Sequence, residues 1–382
     1  MAHTGRQLGK RLAVAAGVAG GAAVLGGAAA VMAGYAGYSW WRRNGSPWRG
    51  AFEFDGKVVF ISGGSRGLGF ALAREFLRHG CRVALCARDS GELERAVGKL
   101  EAHGHVFAVP ADLTEAGAAA AAIAAVRERW QRVDVLVYNA HNAGVMQPGP
   151  WEQATEEQFR AAMDLHCWAA LRLAQAVLPE MIARGEGRIV NISSIGGLVP
   201  VPHMLPYTTS KFALTGLSLG LAAEVRRHGV RVTCVCPFLM RAGSQERVQI
   251  TGQHQRVFAW FAALGNLPGL STSASHAARS IVRACRHGDA QVVLSLPGKL
   301  AALAQGVAPS TVNAVLGTAA RALPLEAAWR CHEQSGHPLP PIEARPQATS
   351  GSDPAKSGEP PSPASAPVPP RMHRAGRQFN QS

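Results

Sequence analysis

Acidic residues are scarce in this sequence, with 25 Asp and Glu against 39 Lys and Arg, which gives a formal net charge of +14. Such a cationic chain suits an anionic partner, and nucleic acid is one class of such partners. However, the sequence contains no nucleic-acid recognition motif and no stripe of alternating basic and aromatic residues. We therefore predict no nucleic-acid partner, and the charge requires another explanation.

Cysteines are also few, with seven scattered along 382 residues. Their odd number and irregular spacing favour a reducing compartment over a disulfide framework. Cys234 and Cys236 lie on a predicted buried strand rather than in a metal-binding pattern. The histidines have no metal-ligand spacing either; those closest to the motifs below are His141, His166, His203 and His254. We predict no metal site.

Tyrosine is rare, with four in the chain, yet Tyr207 lies four residues before Lys211. On a helix, this spacing places the phenol and the ammonium one turn apart on the same face. An ammonium beside a phenol favours the phenolate, so Tyr207 would exchange a proton nearer neutral pH than its reference pKa of about 10. The same spacing also arises in coincidental exposed pairs, so the neighbouring motifs decide between these interpretations.

A strand, a glycine-rich turn and a helix follow one another from residue 57 to residue 79. The turn reads Ser62-Gly63-Gly64-Ser65-Arg66-Gly67-Leu68-Gly69. At such a junction, backbone N–H groups approach a pyrophosphate at the helix N-terminus, where the helix dipole favours anions. Alone, the loop is equally compatible with a tight turn. A second buried strand ends at Ser194, which supplies a hydroxyl thirteen residues before Tyr207.

Together these motifs resemble those of the short-chain dehydrogenase/reductase family, over about residues 50–297. The family's TGxxxGxG loop is matched at Ser62, Gly63, Gly67 and Gly69, with serine in place of the usual threonine. The resemblance implies an oxidoreductase that interconverts a carbonyl and an alcohol. Its implied catalytic residues are Ser194, which orients the carbonyl, Tyr207, the general acid/base, and Lys211, which tunes the phenol and holds ribose hydroxyls. Further implied cofactor contacts come from Ser65, Arg66, Leu68, Asn142 and Pro237.

Apolar, strand-like runs alternate with helix-like stretches over the same span; the runs are 57–61, 82–86, 106–109, 133–137, 188–192, 231–235 and 290–294. This alternation predicts an α/β fold with a doubly wound, seven-stranded parallel sheet, the Rossmann fold. We divide the chain into a membrane anchor with basic flanks (1–49), a catalytic domain (50–297), a helical extension (298–337) and a disordered tail rich in Pro, Ser and Ala (338–382).

The second strand lacks an acid at its end, where family members specific for NAD carry an aspartate; it reads Leu85-Cys86-Ala87-Arg88. A 2′-phosphate needs a cation at this place, and Arg66 and Arg88 supply two. We therefore predict NADP(H) as the cofactor, with NAD less favoured. The alternative interpretation is two solvated surface arginines. Asp112, after the third strand, resembles the family's adenine-contacting aspartate.

Three departures from the family pattern concern the same site. The usual Asn-Asn-Ala-Gly is lengthened by three residues in 138–144, which leaves open which Asn-Ala keeps the cofactor contact. The family's fourth catalytic residue, an asparagine, is replaced by His166, whose imidazole either relays a proton or blocks the usual water path. The usual Pro-Gly after strand six is Pro237-Phe238, and Ala242 replaces a threonine.

Residues 12–41 are uncharged, lie between basic flanks, and are long enough to cross a bilayer. We predict a single-pass anchor that places the catalytic domain on the cytoplasmic face of a bacterial inner membrane, where NADPH is available. The alternatives are a cleaved signal, a disordered leader and a cytoplasmic protein. Anionic lipid headgroups and a phosphorylated cofactor would then account for the net charge.

Residues 257–264 are rich in large apolar side chains and occupy the place where the family builds its substrate lid. An apolar lid implies a small lipophilic carbonyl or alcohol, whereas the alternative is an amphipathic helix that packs on the core. The rival function is a membrane-tethered binding or scaffold protein that retains the fold and the cofactor but not turnover. The resemblance also implies a homo-oligomer, because the family commonly forms dimers or tetramers.

Overall fold

Seven parallel strands form one sheet in the computed structural model, which describes residues 33–34, 37, 52–139, 149, 151–241 and 271–322. The sheet order is β3-β2-β1-β4-β5-β6-β9. In chain order, its strands are β1 Val58–Ser62, β2 Arg82–Ala87, β3 Val106–Pro110, β4 Val135–Tyr138, β5 Gly187–Ile192 and β6 Val230–Cys236; two short strands, β7 Leu239–Arg241 and β8 Ser271–Ser273, precede β9 Gln291–Val293. The strand order reverses between β1 and β4. In a doubly wound sheet, the carboxyl ends of the strands at such a point form the ligand crevice.

Helices connect the strands and cover both faces of the sheet. They are α1 Gly67–Arg78, α2 Ser90–Leu100, α3 Ala118–Trp130, α4 Glu156–Met163, α5 Ala169–Ala183, α6 Leu205–Val225, α7 Ala274–His287, α8 Leu296–Val307 and α9 Pro309–Ala322. A π-helix, Asp164–Trp168, joins α4 to α5.

The core consists of two apolar clusters, one on each face of the sheet. Successive side chains of β1 alternate between them: Val59 and Ile61 pack with α1, α2 and α7, whereas Val58 and Phe60 pack with α3, α5 and α6. This alternation follows from the two-residue period of a strand. Because both faces are covered, all five residues of β1 are buried. The predicted α/β fold with a seven-stranded parallel sheet is confirmed.

The β7–β8 pair was not expected from the sequence. Its two parallel strands pair Leu239 with Ser271 and Arg241 with Ser273. They hold together the two ends of the chain segment 242–270, which lies outside the described residues. The predicted lid, residues 257–264, and Ala242 belong to that segment.

The membrane anchor predicted for residues 12–41 also lies outside the described residues, apart from positions 33–34 and 37. Within the described part of the chain, no single helix is long and apolar enough to cross a membrane. Helices α8 and α9 meet that criterion only as a pair, which is bent by 120°. The division of the chain into four segments remains a prediction.

Candidate active site

Tyr207 and Lys211 project from the first turns of α6, at the carboxyl end of β5. Pro206 lies in the first turn of α6, where its missing N–H has no helical partner to lose. The Lys211 Nζ atom donates to the Ile192 carbonyl oxygen at 3.2 Å and lies 5.9 Å from the centre of the Tyr207 ring. Both side chains are buried, with 9% of Tyr207 and 2% of Lys211 exposed. The predicted pair therefore faces the sheet edge and not bulk solvent.

Ser194 reaches the same point from the loop after β5. It begins a short turn, and its hydroxyl accepts from the Gly196 N–H at 3.0 Å. A Cβ at Gly196 would lie 3.0 Å from the Tyr207 ring and 3.5 Å from the Ser194 hydroxyl oxygen, so the two side chains approach the same point. Glycines allow this loop to approach α6, because a Cβ at Gly197 would lie 2.5 Å from the Lys211 carbonyl oxygen. The structure thus brings together the three predicted catalytic residues from two elements.

Burial changes the proton affinities of this pair. It raises the pKa of Tyr207, and the nearby Ser194 hydroxyl lowers that pKa by less. Burial also lowers the pKa of Lys211 to about 8, although the nearby thiols of Cys234 and Cys236 raise it. The expectation that the ammonium makes Tyr207 more acidic is therefore wrong for these residues as they are placed. Loss of hydration outweighs the effect of Ser194 on the Tyr207 pKa, because the phenol is removed from water.

His166 joins this cluster from the π-helix. Its ring is 1% exposed and packs edge to face against the Tyr207 ring, with 5.6 Å between ring centres and an interplanar angle of 88°. Its Nδ1 atom lies 2.8 Å from the hydroxyl of Ser210, which donates to the Tyr207 carbonyl oxygen at 2.9 Å. The Tyr138 hydroxyl donates to the carbonyl oxygen of Leu165 within the same π-helix. Ser210 was missed from the sequence.

The glycine loop packs closely on the residue that follows β4. The Ser62 hydroxyl accepts from the Asn139 N–H at 3.0 Å, and the Asn139 amide donates to the Gly63 carbonyl at 3.2 Å. A Cβ at Gly69 would lie 2.0 Å from the Gly63 carbonyl oxygen, so no side chain fits there. Gly63 and Gly67 have φ angles of +61° and +56°, which glycine adopts most readily.

Asn139 is therefore the asparagine that contacts the glycine loop. The cofactor contact was assigned to Asn142, which lies outside the described residues, so that assignment remains a prediction. The signal for Asn139 was its position immediately after a buried strand, in Tyr138-Asn139-Ala140. The three extra residues of this loop obscured it.

Arg66 stands at the start of α1, in extended backbone, with about half of its side chain exposed. Its Nη1 atom lies 3.4 Å from an Oε1 atom of Glu92, and the Ser65 hydroxyl donates to the other Glu92 oxygen at 3.3 Å. Glu92, in the first turn of α2, was not predicted. Exposed ion pairs of this kind contribute about 0–1 kcal/mol, so Arg66 can exchange Glu92 for a stronger anion.

Arg88 and Asp112 face each other across the ends of β2 and β3. The Arg88 Nη1 atom lies 3.7 Å from the Asp112 carboxylate, which also accepts from the N–H and the hydroxyl of Thr114 at 3.0 and 2.7 Å. Partial burial favours a higher pKa for Asp112, but the Thr114 hydrogen bonds and the Arg88 charge bring the pKa below its usual value. Asp112 is therefore held as a carboxylate.

The segment after β6 lies beside Ser194. The Pro237 carbonyl oxygen accepts from the Ile195 N–H at 2.8 Å. A Cβ at Gly298, near the start of α8, would lie 3.4 Å from the Cβ of Phe238. Phe238, which stands where the family usually has glycine, therefore lies next to Gly298 at the start of α8.

The described cysteines are six buried free thiols. The Cys234 and Cys236 sulfur atoms lie 3.9 Å apart on β6. Among the residues that the structure describes, no three or more His, Cys, Asp or Glu side chains are grouped as metal ligands.

A family model for short chain dehydrogenases matches residues 57–251, about half of the chain. This chain belongs to the short-chain dehydrogenase family. The dehydrogenase is 37% identical over 198 residues to the oxidoreductase UcpA of Salmonella typhimurium, an alignment that covers 51% of this chain and 74% of that protein.

Two solved structures of reductases are similar to this short-chain dehydrogenase. L-Sorbose reductase from Gluconobacter frateurii, complexed with NADPH and L-sorbose, has a TM-score of 0.56 and 27% identity, with 64% of this chain and 97% of that chain covered. A variant of actinorhodin polyketide ketoreductase with NADPH has a TM-score of 0.56 and 28% identity, with 65% and 98% covered. The chain is thus an oxidoreductase of a family that binds a nicotinamide cofactor.

The residues of the dehydrogenase fit such a cofactor. The tight contact between Gly63 and Gly69 leaves bare backbone at the N-terminus of α1, where a pyrophosphate binds in this fold. Arg66 stands at the start of α1 and Arg88 follows β2, and Asp112 is an ionised acceptor beside Arg88. The buried cluster of Ser194, Tyr207 and Lys211 lies at the carboxyl end of β5.

Proposed function

We propose that this chain is an NADP(H)-dependent oxidoreductase that interconverts a carbonyl and an alcohol on a small lipophilic substrate, with Tyr207 as general acid/base. One observation carries the proposal: the Tyr207 phenol, close to Ser194 and next to Lys211, lies at the sheet edge that also carries the glycine loop. A phenol placed there is positioned to exchange a proton with a carbonyl oxygen.

The chemistry divides between the cofactor and the side chains. When bound, NADPH supplies a hydride to the carbonyl carbon. Ser194 orients the carbonyl oxygen, and Tyr207 Oη gives that oxygen its proton, which leaves an alcohol and a phenolate. The Ser194 hydroxyl and the Lys211 ammonium stabilise the phenolate, because a donor and a cation both favour the anionic form. Burial keeps the phenol protonated until substrate arrives, since it raises the pKa of Tyr207.

Two arginines support NADP(H) over NAD(H). Arg66 and Arg88 are both more than half exposed, and their ion pairs with carboxylates are 3.4 and 3.7 Å long. Charge-assisted contacts with a phosphate are worth about 1.5–3 kcal/mol each, more than such exposed pairs. Each arginine also faces a carboxylate, Glu92 beside Arg66 and Asp112 beside Arg88, so a bound phosphate would compete with that carboxylate at both positions. The two NADPH-containing reductase neighbours agree with this choice.

Substrate class and location rest on the sequence. The apolar residues 257–264 favour a lipophilic substrate, and residues 12–41 favour an anchor that holds the catalytic domain on the cytoplasmic face of a bacterial inner membrane. Full-length protein should then resist carbonate washing of membranes, whereas a chain that begins near Arg49 should be released and active. Release of the full-length protein by salt alone would show that only its basic surface holds it.

A second copy of the chain is the proposed protein partner. Leu205, Phe212 and Leu219 recur every seven residues along α6 and are 44%, 40% and 37% exposed. Residues at this spacing lie on one face of a helix, and large apolar side chains exposed in a row mark an interface.

The function is tested by Tyr207→Phe. This change removes only the hydroxyl, so we expect turnover to fall by at least about 100-fold, the lower range for acid catalysis, while NADPH affinity stays within a few fold. Turnover is measured by NADPH oxidation across a panel of carbonyl compounds, and affinity by fluorescence titration. Retained turnover in Tyr207→Phe would remove Tyr207 from the mechanism. NADPH binding by the unaltered protein without oxidation of any panel member would favour the scaffold function instead.

A further inference from the structure

The strongest chain-specific feature of the site is the histidine that replaces the family's asparagine. His166, Ser210 and Tyr207 are all buried, at 1%, 0% and 9% exposure, and they come from two elements, the π-helix and α6. Their contacts form one continuous path: imidazole to Ser210 hydroxyl, and hydroxyl to Tyr207 carbonyl.

The hydroxyl of Ser210 has a single proton, and its partners determine where that proton lies. A carbonyl oxygen only accepts, so at 2.9 Å the Ser210 proton points to the Tyr207 carbonyl. The Ser210 oxygen, 2.8 Å from His166 Nδ1, is left as the acceptor of that second hydrogen bond. This arrangement favours a proton on His166 Nδ1.

The same imidazole also touches the reactive side chain directly. Its ring packs edge to face on the Tyr207 ring, a geometry that contributes about 0.5–1.5 kcal/mol beyond burial for aromatic pairs. The Tyr207 backbone is thus held through Ser210 and its ring through the imidazole. His166 therefore restrains both the backbone and the ring of Tyr207.

We propose that His166 and Ser210 form a positioning pair for Tyr207, with His166 in the Nδ1–H form. His166 holds the phenol in line with the substrate oxygen and does not pass a proton through Nδ1, because that atom is committed to Ser210. This inference rests on the proposed role of Tyr207. It excludes a proton relay through Nδ1 and gives the imidazole a positioning role that the sequence did not suggest.

The first test reads the tautomer and does not depend on turnover. Full-length protein labelled with ¹⁵N in its histidines is measured at about pH 8, above the ordinary histidine pKa of about 6.5, and His166→Phe identifies the resonances. We expect one-bond coupling to a proton at Nδ1 of His166. An Nδ1 atom without a proton would overturn the proposal, since Ser210 would then have to donate to the ring.

The second test is a double-mutant cycle on turnover. His166→Phe keeps an aromatic ring but loses the hydrogen bond, and Ser210→Ala removes its acceptor. Each should lower kcat about tenfold or more with KM within about twofold, because a small displacement of a reacting group costs up to about 100-fold. The double variant should lose no more than either single variant, since both break one path.

A matched control is available on the same helix. Ser218 is also fully buried, donates to the Leu214 carbonyl oxygen at 2.6 Å and accepts from the Asn191 amide at 2.9 Å. Eleven residues separate it from Tyr207, roughly 16 Å along α6. Ser218→Ala should lower the melting temperature as Ser210→Ala does, yet leave kcat unchanged.

The outcomes separate this inference from the proposed function. Equal kcat losses in Ser210→Ala and Ser218→Ala, or additive losses in the cycle, would reduce His166 to an ordinary packing residue. Retained turnover in Tyr207→Phe would instead overturn the function and leave the tautomer assignment standing.

Discussion

At the residue scale, burial shifts the pKa values of two neighbouring groups in the site, Tyr207 and Lys211. The Tyr207 phenol is kept protonated and the Lys211 ammonium is made more acidic, both because they are removed from water. From the sequence we expected instead that the charge of Lys211 would lower the pKa of Tyr207. The group that titrates in the working range is therefore Lys211.

We predict that kcat/KM for reduction falls as pH rises through about 8, the pKa of Lys211 in the fold. The charged ammonium is present below that pH and lost above it, whereas the phenol stays protonated throughout because its pKa is raised. The pH dependence of kcat/KM measures the free enzyme. A flat profile between about pH 7 and 9 would contradict the placement of a buried Lys211 in the mechanism.

Lys211 also links pH to stability. Its pKa lies below the ordinary value of 10.5, so the unfolded chain binds more protons than the folded chain between about pH 8 and that value. The free energy of unfolding should therefore increase with pH in this window, and Lys211→Met should remove that contribution.

Replacing Arg88 by Gln should weaken NADPH binding about 10- to 150-fold and leave NADH binding nearly unchanged, because a charge-assisted phosphate contact is worth about 1.5–3 kcal/mol. Arg66→Gln should act in the same direction, since Arg66 is similarly exposed and also faces a carboxylate that a phosphate can replace. Affinities are measured by titration with each cofactor.

Arg78→Gln is a matched control for the change at Arg66. Arg78 is 54% exposed and lies 3.5 Å from Glu75, against 55% and 3.4 Å for Arg66 and Glu92, but it stands at the opposite end of α1. Arg78→Gln should leave the affinities for NADPH and NADH unchanged. An equal loss of NADPH and NADH in Arg88→Gln would remove the 2′-phosphate assignment.

At the scale of elements, the turn between β1 and α1 is the most constrained part of the cofactor site. Gly69→Ala would place a Cβ 2.0 Å from the Gly63 carbonyl oxygen, which is a backbone atom. We expect a loss of stability of about 1–3 kcal/mol, as for other overpacked sites, and a clear loss of cofactor affinity. Thermal unfolding and cofactor titration measure the two effects.

Gly98→Ala tests the same chemical change where there is room. Gly98 lies in α2, and an added Cβ there meets no atom within 4 Å. Alanine is favoured over glycine inside a helix by about 0.5–1 kcal/mol, so this variant should be stabilised with unchanged cofactor affinity. If Gly69→Ala changes stability and cofactor affinity no more than Gly98→Ala does, the close contact within the glycine loop does not determine either property.

Much of the architecture could be predicted from local pattern. Strands buried on both faces become continuous apolar runs, and each of the seven predicted runs overlaps a strand of the sheet. The β7–β8 pair could not be predicted, because three-residue strands carry too little periodicity. The π-helix likewise has no spacing signal of its own.

In the site, residues within one loop or one helix turn were predictable, and partners distant in sequence were not. Ser194, Tyr207 and Lys211 follow from one strand end and one helix turn. Asn139 bonds to Ser62 across 77 positions and His166 to Ser210 across 44. Only the folded sheet and its helices bring such pairs together.

At the scale of the whole molecule, the apolar row on α6 predicts self-association. Phe212→Glu and Leu219→Glu would each place a charge on the proposed interface, so we expect a lower mass by light scattering at matched protein concentration. Ala124→Glu, at an exposed position of α3, adds the same side chain away from α6 and should leave the mass unchanged. A monomeric mass for the unaltered protein would remove the proposed second copy.

The central claim is that this short-chain dehydrogenase transfers hydride from NADPH to a carbonyl carbon. The most direct measurement is single turnover of the full-length protein with NADPH deuterated at the transferable C4 position, across a panel of lipophilic aldehydes and ketones, followed by mass spectrometry. The account predicts an alcohol with one deuterium on the former carbonyl carbon, formed by the unaltered protein and not by Tyr207→Phe. Tight NADPH binding with no labelled alcohol from any panel member would contradict it.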